Sequence, residues 1–220
     1  MTNNAYHTPV LVEETLWALA CEEGKIFVDA TGGGGGHTRA ILEATCPDGR
    51  VIAFDRDEEA VEEVRRSLAD FGDRLMVVHA NFSAIPSYLP TLGIERVDGF
   101  LFDFGVSHHQ LRSEARGFSF LHDGPLDMRM DRRQTQDAAT LVNEATEEKL
   151  CQILRTYGEE PRARRIARAI VTARKGKRID STLELAQIVA AAKGGARRRI
   201  HPATKTFQAL RIAVNGELEA

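Results

Sequence analysis

Five consecutive glycines, Gly32 to Gly36, constrain the fold of this chain more than any other feature of its sequence. An apolar run that ends in Asp29 precedes them, and a segment typical of a helix start, residues 37–44, follows. A loop without Cβ atoms can turn through positive φ, and its N–H groups can close on a ligand beside the N–H groups of the next helix. The pattern predicts a nucleotide-type cofactor loop, because a flexible linker would lack the strand and helix that flank it here.

A second apolar run, Val51 to Phe54, ends in Asp55. This carboxylate lies about twenty residues past the loop, where nucleotide-binding α/β units place an acid against the ribose hydroxyls. The fingerprint of dinucleotide dehydrogenases requires a glycine where His37 stands, so the spacing of Asp29, Gly33 and Gly35 favours an S-adenosylmethionine enzyme. A nicotinamide-dependent oxidoreductase stays open as an alternative at this point.

Length and composition set outer bounds on the protein. A chain of 220 residues with 43% hydrophobic content can bury one good core and a smaller satellite. Its three cysteines, Cys21, Cys46 and Cys151, form neither a metal-binding pattern nor a disulfide framework, which favours a reducing compartment. No signal peptide and no apolar run of membrane-spanning length is evident, so we expect a cytoplasmic protein without a membrane partner.

Charge divides the chain into two parts. Residues 1–131 carry 11 Lys and Arg against 22 Asp and Glu, whereas residues 132–214 carry 18 against 8. Within the basic part, apolar residues recur at helical spacing between Leu150 and Val189, which predicts packed amphipathic helices. The candidate phosphate contacts are Arg162, Arg164, Arg165, Arg168, Arg174, Lys175, Lys177, Arg178, Arg197, Arg198 and Arg199. This composition favours nucleic-acid binding, with an ordinary charged helical face as the alternative.

The acidic part alternates strands and helices. We expect strands near residues 26–29, 51–54, 75–79 and 97–102, with helices at 12–20, 38–44 and 58–71. This order predicts a parallel sheet covered on both faces, with ligands at the carboxyl ends of its strands. Polar residues stand at those four ends: Asp29, Asp55, Asn81 and Asp103.

A long stretch without a clear pattern, residues 105–131, follows the fourth strand. Loops of this length are usually functional, and the aromatic and methionine side chains in it can contact a substrate or pin the loop to the core. Its adjacent His108 and His109 suggest a metal at first sight. No further ligand lies at suitable spacing, so no metal site is expected.

Several segments together resemble one family, the bacterial ribosomal RNA small subunit methyltransferase H family. They are Tyr6-His7-Thr8-Pro9-Val10, Asp29 to His37, Asp103-Phe104-Gly105-Val106-Ser107, Gly117-Phe118-Ser119-Phe120, Asp123-Gly124-Pro125-Leu126-Asp127-Met128-Arg129-Met130-Asp131, Tyr157-Gly158-Glu159-Glu160 and His201-Pro202-Ala203-Thr204. The run from Asp123 to Asp131 is the most specific of them. The resemblance extends from residue 6 to the end of the chain.

The resemblance implies an α/β fold, a class I S-adenosylmethionine methyltransferase with a Rossmann-like parallel sheet and an inserted helical domain. It implies a cofactor-binding core at 1–131, a basic RNA-binding insertion at 132–201 and a returning helix at 202–220. The implied reaction is N4 methylation of a cytidine in the decoding region of 16S ribosomal RNA, so the implied partner is that RNA or the small ribosomal subunit. The oligomeric state stays open.

The resemblance also assigns site residues by position. Cofactor contacts fall on Gly35, Gly36, His37, Asp55, Phe82, Asp103 and Gln110. Asp103 is in addition the expected catalytic residue. The Asn/Asp-Pro-Pro-Tyr motif of many amino-methyltransferases is absent at the corresponding strand end, which reads Asp103-Phe104-Gly105-Val106.

Family members continue beyond the position of Ala220, through a further strand and a Ser-Phe-His-Ser-Leu-Glu-Asp segment that complete the sheet and the pocket. We therefore expect a sheet that is incomplete on its C-terminal side, and a chain that is weak or inactive in catalysis by itself. A truncated, non-catalytic protein that still binds RNA or cofactor is the alternative function.

Overall fold

A computed structural model describes residues 9–194 and 200–218 of the chain. The chain divides into two compact units, the first ending at His109 and the second beginning at Gln110. The predicted boundaries at 131 and 201 differ from this division and stay predictions. The division has a physical basis, because the segment after residue 110 is hydrogen-bonded into the helices that follow it.

The first unit alternates strands with helices. Its strands are β1 (Ile26–Asp29), β2 (Arg50–Asp55), β3 (Leu75–His79) and β4 (Gly99–Leu101). Its helices are α1 (Val12–Leu19), α2 (Gly36–Ala44), α3 (Glu58–Ser67) and α4 (Ile85–Thr91), with 3-10 turns at Ala69–Arg74 and Phe82–Ala84. The strands form one parallel sheet in the order β3-β2-β1-β4, which confirms the predicted α/β class with a Rossmann-like parallel sheet.

The two central strands hold the core of the first unit. Because side chains alternate across a strand, Phe27 and Val51 pack on one face of the sheet while Val28 and Ile52 pack on the other. The outer strands differ from the prediction that both faces are covered. In β4 the side chain of Phe100 is 46% exposed, because only one edge of this strand pairs within the described residues and fewer elements pack against it.

The helices of the first unit differ from the sequence-based prediction in two places. The predicted helix 58–71 ends at Ser67 and continues as a 3-10 turn, where Gly72 adopts a φ of 55°. Helix α4 was not predicted, because Pro86 lies in its first turn and Pro90 lies inside it.

The second unit is helical. It contains α6 (Ala138–Glu144), α7 (Glu147–Thr156), α8 (Ala163–Ala173), α9 (Thr182–Ala192) and α10 (Thr204–Asn215). The short helix α5 (His108–Arg112) lies at the boundary of the units, and a 3-10 turn, Glu114–Arg116, follows it. The predicted periodicity is confirmed, since Leu150, Ile166 and Val189 are fully buried between the helices.

Side chains cap most of these helices and fix where they begin. The N-cap oxygens of Asp137, Thr146 and Ser181 accept backbone N–H groups in the first turns of α6, α7 and α9. Helix α10 ends at Asn215 because Gly216 adopts a left-handed conformation with a φ of 54°. None of the helices in the described parts of the chain has the length and apolar character needed to cross a membrane.

Candidate functional site

The carboxyl ends of β1, β2 and β4 meet at one edge of the sheet. In the observed register Asp29 lies beside Ala53 of β2 and Leu101 of β4, and Asp55 closes β2. Asp103 follows the end of β4 by two residues. The structure thus brings together the three carboxylates that the sequence placed there, and we call Asp29, Thr31, Asp55 and Asp103 the strand-end cluster.

Asp29 is the buried anchor of this cluster. One of its carboxylate oxygens accepts the Thr38 hydroxyl at 2.6 Å, and the other accepts the Thr31 backbone N–H at 3.2 Å. Burial raises the pKa of the Asp29 carboxyl, and the bond from Thr38 offsets part of that effect. These contacts tie the end of β1 to the start of the glycine loop and to α2.

Asp55 holds the loop from the neighbouring strand. Its Oδ2 accepts the Gly33 backbone N–H and its Oδ1 accepts the Asp57 backbone N–H, each at 2.8 Å. Burial raises the pKa of Asp55 to about 6, the largest cause, against the lowering effect of those two bonds. Each carboxylate oxygen has a second lone pair, so the group can still accept hydrogen bonds from two ribose hydroxyls.

The glycine loop adopts the conformation that its composition predicts. Gly33 and Gly35 have φ values of 51° and 80°, which side chains with a Cβ rarely tolerate. A Cβ on Gly36 would lie 2.7 Å from the Pro9 ring. Helix α2 begins at Gly36, so the N–H groups of Gly36 and His37 lie in its first turn, where intrahelical acceptors are lacking. The His37 ring contacts the Val10 carbonyl at 2.9 Å.

Asp103 is tied to the loop through its backbone. Its N–H donates to the Thr31 hydroxyl at 2.7 Å, while its side chain is exposed. The same threonine donates its own N–H to Asp29, so one residue links the ends of β1 and β4. The backbone of Asp103 is therefore held at the strand end, and its carboxylate is exposed to solvent.

Phe82 lies at the end of β3 in a cluster of phenylalanines. Its ring packs edge-on against Phe102 and Phe104, with both centroid distances 5.6 Å. Phe102 also stacks on Phe104 at 5.6 Å and on Phe100 at 6.3 Å. A half-buried ring of this kind offers a flat apolar surface that suits an adenine, and the part of Phe82 in the cofactor site stays a prediction.

Gln110, the remaining predicted cofactor contact, is the first residue of the second unit and is 6% exposed. Its part in the cofactor site stays a prediction. Within residues 9–194 and 200–218 no group of three or more His, Cys, Asp or Glu side chains is arranged to hold a metal ion.

The predicted phosphate contacts that lie in the described part of the second unit fall into two groups. Arg174 donates to the carbonyls of Val142 and Ala145, both at 2.7 Å, and Arg162 donates to the Lys193 carbonyl, so these two serve the fold. Six others have exposed positions: Arg164, Arg165, Arg168, Lys175, Lys177 and Arg178. The predicted contacts Arg197, Arg198 and Arg199 lie outside the described residues.

The most specific family segment, residues 123–131, has several hydrogen bonds within the second unit. We call it the motif segment. The Asn215 amide accepts the Met130 N–H and donates to the Met128 carbonyl, both at 2.7 Å. The buried Arg116 guanidinium donates to the Met130 carbonyl at 3.2 Å, and Asp127 forms an ion pair with Arg129 at 2.7 Å that holds the Asp127 pKa low.

Sequence reasoning missed the residues that organise this edge. Thr31 and Thr38 hold Asp103 and Asp29, and Asp57 caps α3 while its N–H binds Asp55. A threonine two residues after a strand-end carboxylate gave no distinct signal. The spacing of Phe100 in β4 and Phe102 just after it was readable as a pattern with a period of two residues.

Comparison with known proteins finds a protein family and individual relatives whose sequences match this chain. The model of the MraW methylase family matches residues 4–220. S-adenosylmethionine is the cofactor that goes with this match, as the loop predicted. A "Ribosomal RNA small subunit methyltransferase H" of Geobacter sp. (strain M21) is 50% identical, over 98% of this chain and 70% of that protein. The Geobacter sulfurreducens protein of the same name is 53% identical, over 96% of this chain and 69% of that protein.

Proposed function

Because the chain belongs to the MraW methylase family, we propose that it methylates N4 of a cytidine in the decoding region of 16S ribosomal RNA, with S-adenosylmethionine as methyl donor. One observation carries the proposal: Asp55 and Asp103 both bond to the segment between β1 and α2, at one sheet edge. The relatives that share about half of its residues are named as methyltransferases of the small-subunit RNA.

The residues at this edge fit the proposed cofactor. Asp55 supplies acceptors for ribose hydroxyls, and the first turn of α2 supplies N–H donors at Gly36 and His37 for a carboxylate. The half-buried Phe82 supplies an apolar face for the adenine. When bound, S-adenosylmethionine supplies an electrophilic methyl group on a sulfonium.

Asp103 has the position and exposure to handle the substrate amine. The exocyclic amine of cytosine is a weak nucleophile because its lone pair is delocalised into the ring, so alignment with the methyl carbon is the main task. An Asp103 oxygen can accept one amine hydrogen, orient the lone pair and stabilise the positive charge that develops on nitrogen. As the new N–C bond forms and the S–C bond breaks, the amine loses that proton to the carboxylate or to water.

The exposed basic face of the second unit is the proposed RNA surface. Arg164, Arg165 and Arg168 project from α8 opposite its buried residues Ile166 and Ile170. Phosphate neutralisation by such side chains gives affinity that falls steeply with salt. Replacing Arg164 and Arg165 by glutamine removes two charges without touching the core. The logarithmic salt slope should fall by about 1.5, and an unchanged slope would remove α8 from the interface.

Mass spectrometry of nucleosides tests the reaction. The protein is incubated with immature small ribosomal subunits and S-adenosylmethionine carrying a deuterated methyl group, and the RNA is digested. We expect slow incorporation of the label into N4-methylcytidine, because the chain by itself is expected to be weak in catalysis. Asp103→Asn should reduce this incorporation by about a hundredfold or more, since misplacement of the amine alone costs that much. Label at cytosine C5, at a ribose or in another base would contradict the proposed chemistry. RNA retention without any label would favour the non-catalytic alternative.

A further inference from the structure

A pair of stacked rings lies in the second unit, outside the strand-end cluster. Phe120 and His201 stack with their centroids 4.5 Å apart and their planes at 31°. They lie far apart in the sequence, one in the irregular stretch after α5 and the other just before α10. His201 is exposed and Phe120 is half-buried, so the pair reaches the surface.

Both rings are held in place from beneath. Phe207 of α10, which is 4% exposed, packs edge-on against Phe120 with a centroid distance of 4.7 Å. The Nδ1 atom of His201 accepts the Ala203 N–H at 3.2 Å, and its carbonyl accepts the Thr204 N–H at 3.1 Å. A ligand that stacks here meets a surface that is already ordered, which lowers the entropic cost of binding.

The hydrogen bond to Nδ1 also sets the chemistry of the exposed ring. In the neutral imidazole an accepting Nδ1 places the proton on Nε2, so the ring offers a flat π face and an N–H donor at its edge. Unpaired RNA bases stack on such rings and use their edges for hydrogen bonds. The surrounding sequence is basic, with 18 Lys and Arg against 8 Asp and Glu in residues 132–214, which suits a polyanion.

We propose that Phe120 and His201 form a stacking platform for one unpaired nucleobase of the RNA substrate. The inference rests on the proposed RNA-binding function and adds a contact that phosphate recognition does not provide. Stacking of a base on an aromatic side chain changes affinity by about 5- to 150-fold and tolerates any base. The platform therefore requires a single-stranded nucleotide without specifying which one.

Two variants of His201 separate stacking from the other roles of the side chain. His201→Gln keeps a hydrogen-bond acceptor and removes the ring, whereas His201→Phe keeps a ring and removes both nitrogens. The probe is a short single-stranded RNA, compared with the same RNA made abasic at one position after another. We expect His201→Gln to weaken binding of the intact RNA by about tenfold and His201→Phe by less than about threefold, with the salt slope unchanged in both.

The abasic series completes a double-mutant cycle. Removal of the base at one position should weaken RNA binding to the native protein by about tenfold. Removal of the same base should not weaken RNA binding to His201→Gln any further. His122→Gln is the matched control, because His122 is an exposed histidine of the same unit whose side chain is 72% exposed. Its affinity for the RNA should match that of the native protein.

The outcomes distinguish this inference from the proposed function. Salt-dependent RNA binding with native affinity in a folded His201→Gln variant would overturn the platform alone. Equal losses in His201→Gln and His201→Phe would assign His201 a hydrogen-bonding role and would also overturn it. Absence of RNA binding by the native protein at low salt would overturn the proposed function and the platform together.

Discussion

The strand-end cluster of the first unit and the motif segment of the second unit use polar groups in opposite ways. The Asp55 carboxylate accepts the Gly33 backbone N–H, the Asp103 backbone N–H donates to the Thr31 hydroxyl, and both carboxylates keep the capacity to bind a ligand. The motif segment forms hydrogen bonds with Asn215 and Arg116 of the same unit, and its own Asp127 and Arg129 pair with each other. These contacts of the motif segment therefore stabilise the second unit, whereas we propose that the strand-end cluster and the glycine loop bind the ligand.

Close backbone approaches make a side chain costly at two glycines, one in the motif segment and one before it. A Cβ on Gly117 would lie 2.2 Å from the Pro125 carbonyl oxygen, and a Cβ on Gly124 would lie 2.2 Å from that of Glu114. Met128 is fully buried with a φ of 62°, a conformation that few residues with a Cβ adopt. Packing of this kind limits which residues these positions can hold.

Breaking the buried ion pair of the second unit should have the largest effect on stability. Glu160 and Lys193 pair with side chains that are 0% and 6% exposed, and Lys193 also donates to the Pro202 carbonyl at 2.8 Å. Lys193→Met leaves a buried carboxylate without its partner, so the free energy of unfolding should fall by about 3–5 kcal/mol. Urea unfolding of Lys193→Met and the native protein measures this loss of stability.

An exposed pair of the same type provides the control. Lys177 and Glu184 lie 3.7 Å apart, and the Lys177 side chain is 81% exposed. Lys177→Met should change the free energy of unfolding by less than about 0.5 kcal/mol. Similar losses of unfolding free energy in Lys193→Met and Lys177→Met would show that burial of the Glu160–Lys193 pair does not determine its contribution to stability.

Removing the Asn215 amide should destabilise the second unit somewhat less. Asn215→Ala leaves the buried Met130 N–H and Met128 carbonyl without this partner, at a cost of about 2–4 kcal/mol. Gln208→Ala, an exposed change on the same helix, should stay within about 0.5 kcal/mol. A native unfolding curve for Asn215→Ala would refute the structural role assigned to the motif segment.

Cofactor affinity should depend on pH through the first unit. The pKa of Asp55 is raised to about 6 by burial, so its carboxylate is ionised above that pH and protonated below it. If the ionised form binds the ribose, affinity is constant above pH 7 and falls about tenfold by pH 5. Asp55→Asn should flatten this dependence; a slope that persists in that variant would point to Asp29, whose pKa is also raised.

Without cofactor, the raised pKa of Asp55 makes the stability of the folded protein depend on pH in the opposite direction from cofactor affinity. A carboxyl whose pKa is higher in the folded protein than in the unfolded chain binds protons more tightly when folded. Its contribution to stability is therefore full below about pH 4 and is lost as the pH rises through about 6. Asp55→Asn should remove this part of the pH dependence in urea unfolding measured between those values.

The sequence predicted the parts of the fold that depend on local pattern. Strands 26–29 and 75–79 match β1 and β3 to the residue, and Asp29, Asp55 and Asp103 lie at the predicted edge. Long-range pairing was not readable. Nothing local marks Asn215 as a partner of Met128, or Thr31 as the acceptor of the Asp103 N–H, because those contacts arise only when distant segments fold together.

The central claim is that the strand-end cluster binds the ligand and the motif segment stabilises the fold. It is tested most directly by calorimetric titration of S-adenosylmethionine into Asp55→Ala and Asn215→Ala, together with urea unfolding of both variants. We predict that Asp55→Ala weakens binding by about 1.5–3 kcal/mol, since the ligand loses hydrogen bonds to a charged acceptor. It should lower the free energy of unfolding less than Asn215→Ala does, because the cost of burying the Asp55 carboxylate offsets its two backbone hydrogen bonds. Asn215→Ala should show the converse, native affinity with reduced stability. Native affinity in a folded Asp55→Ala variant would contradict the account.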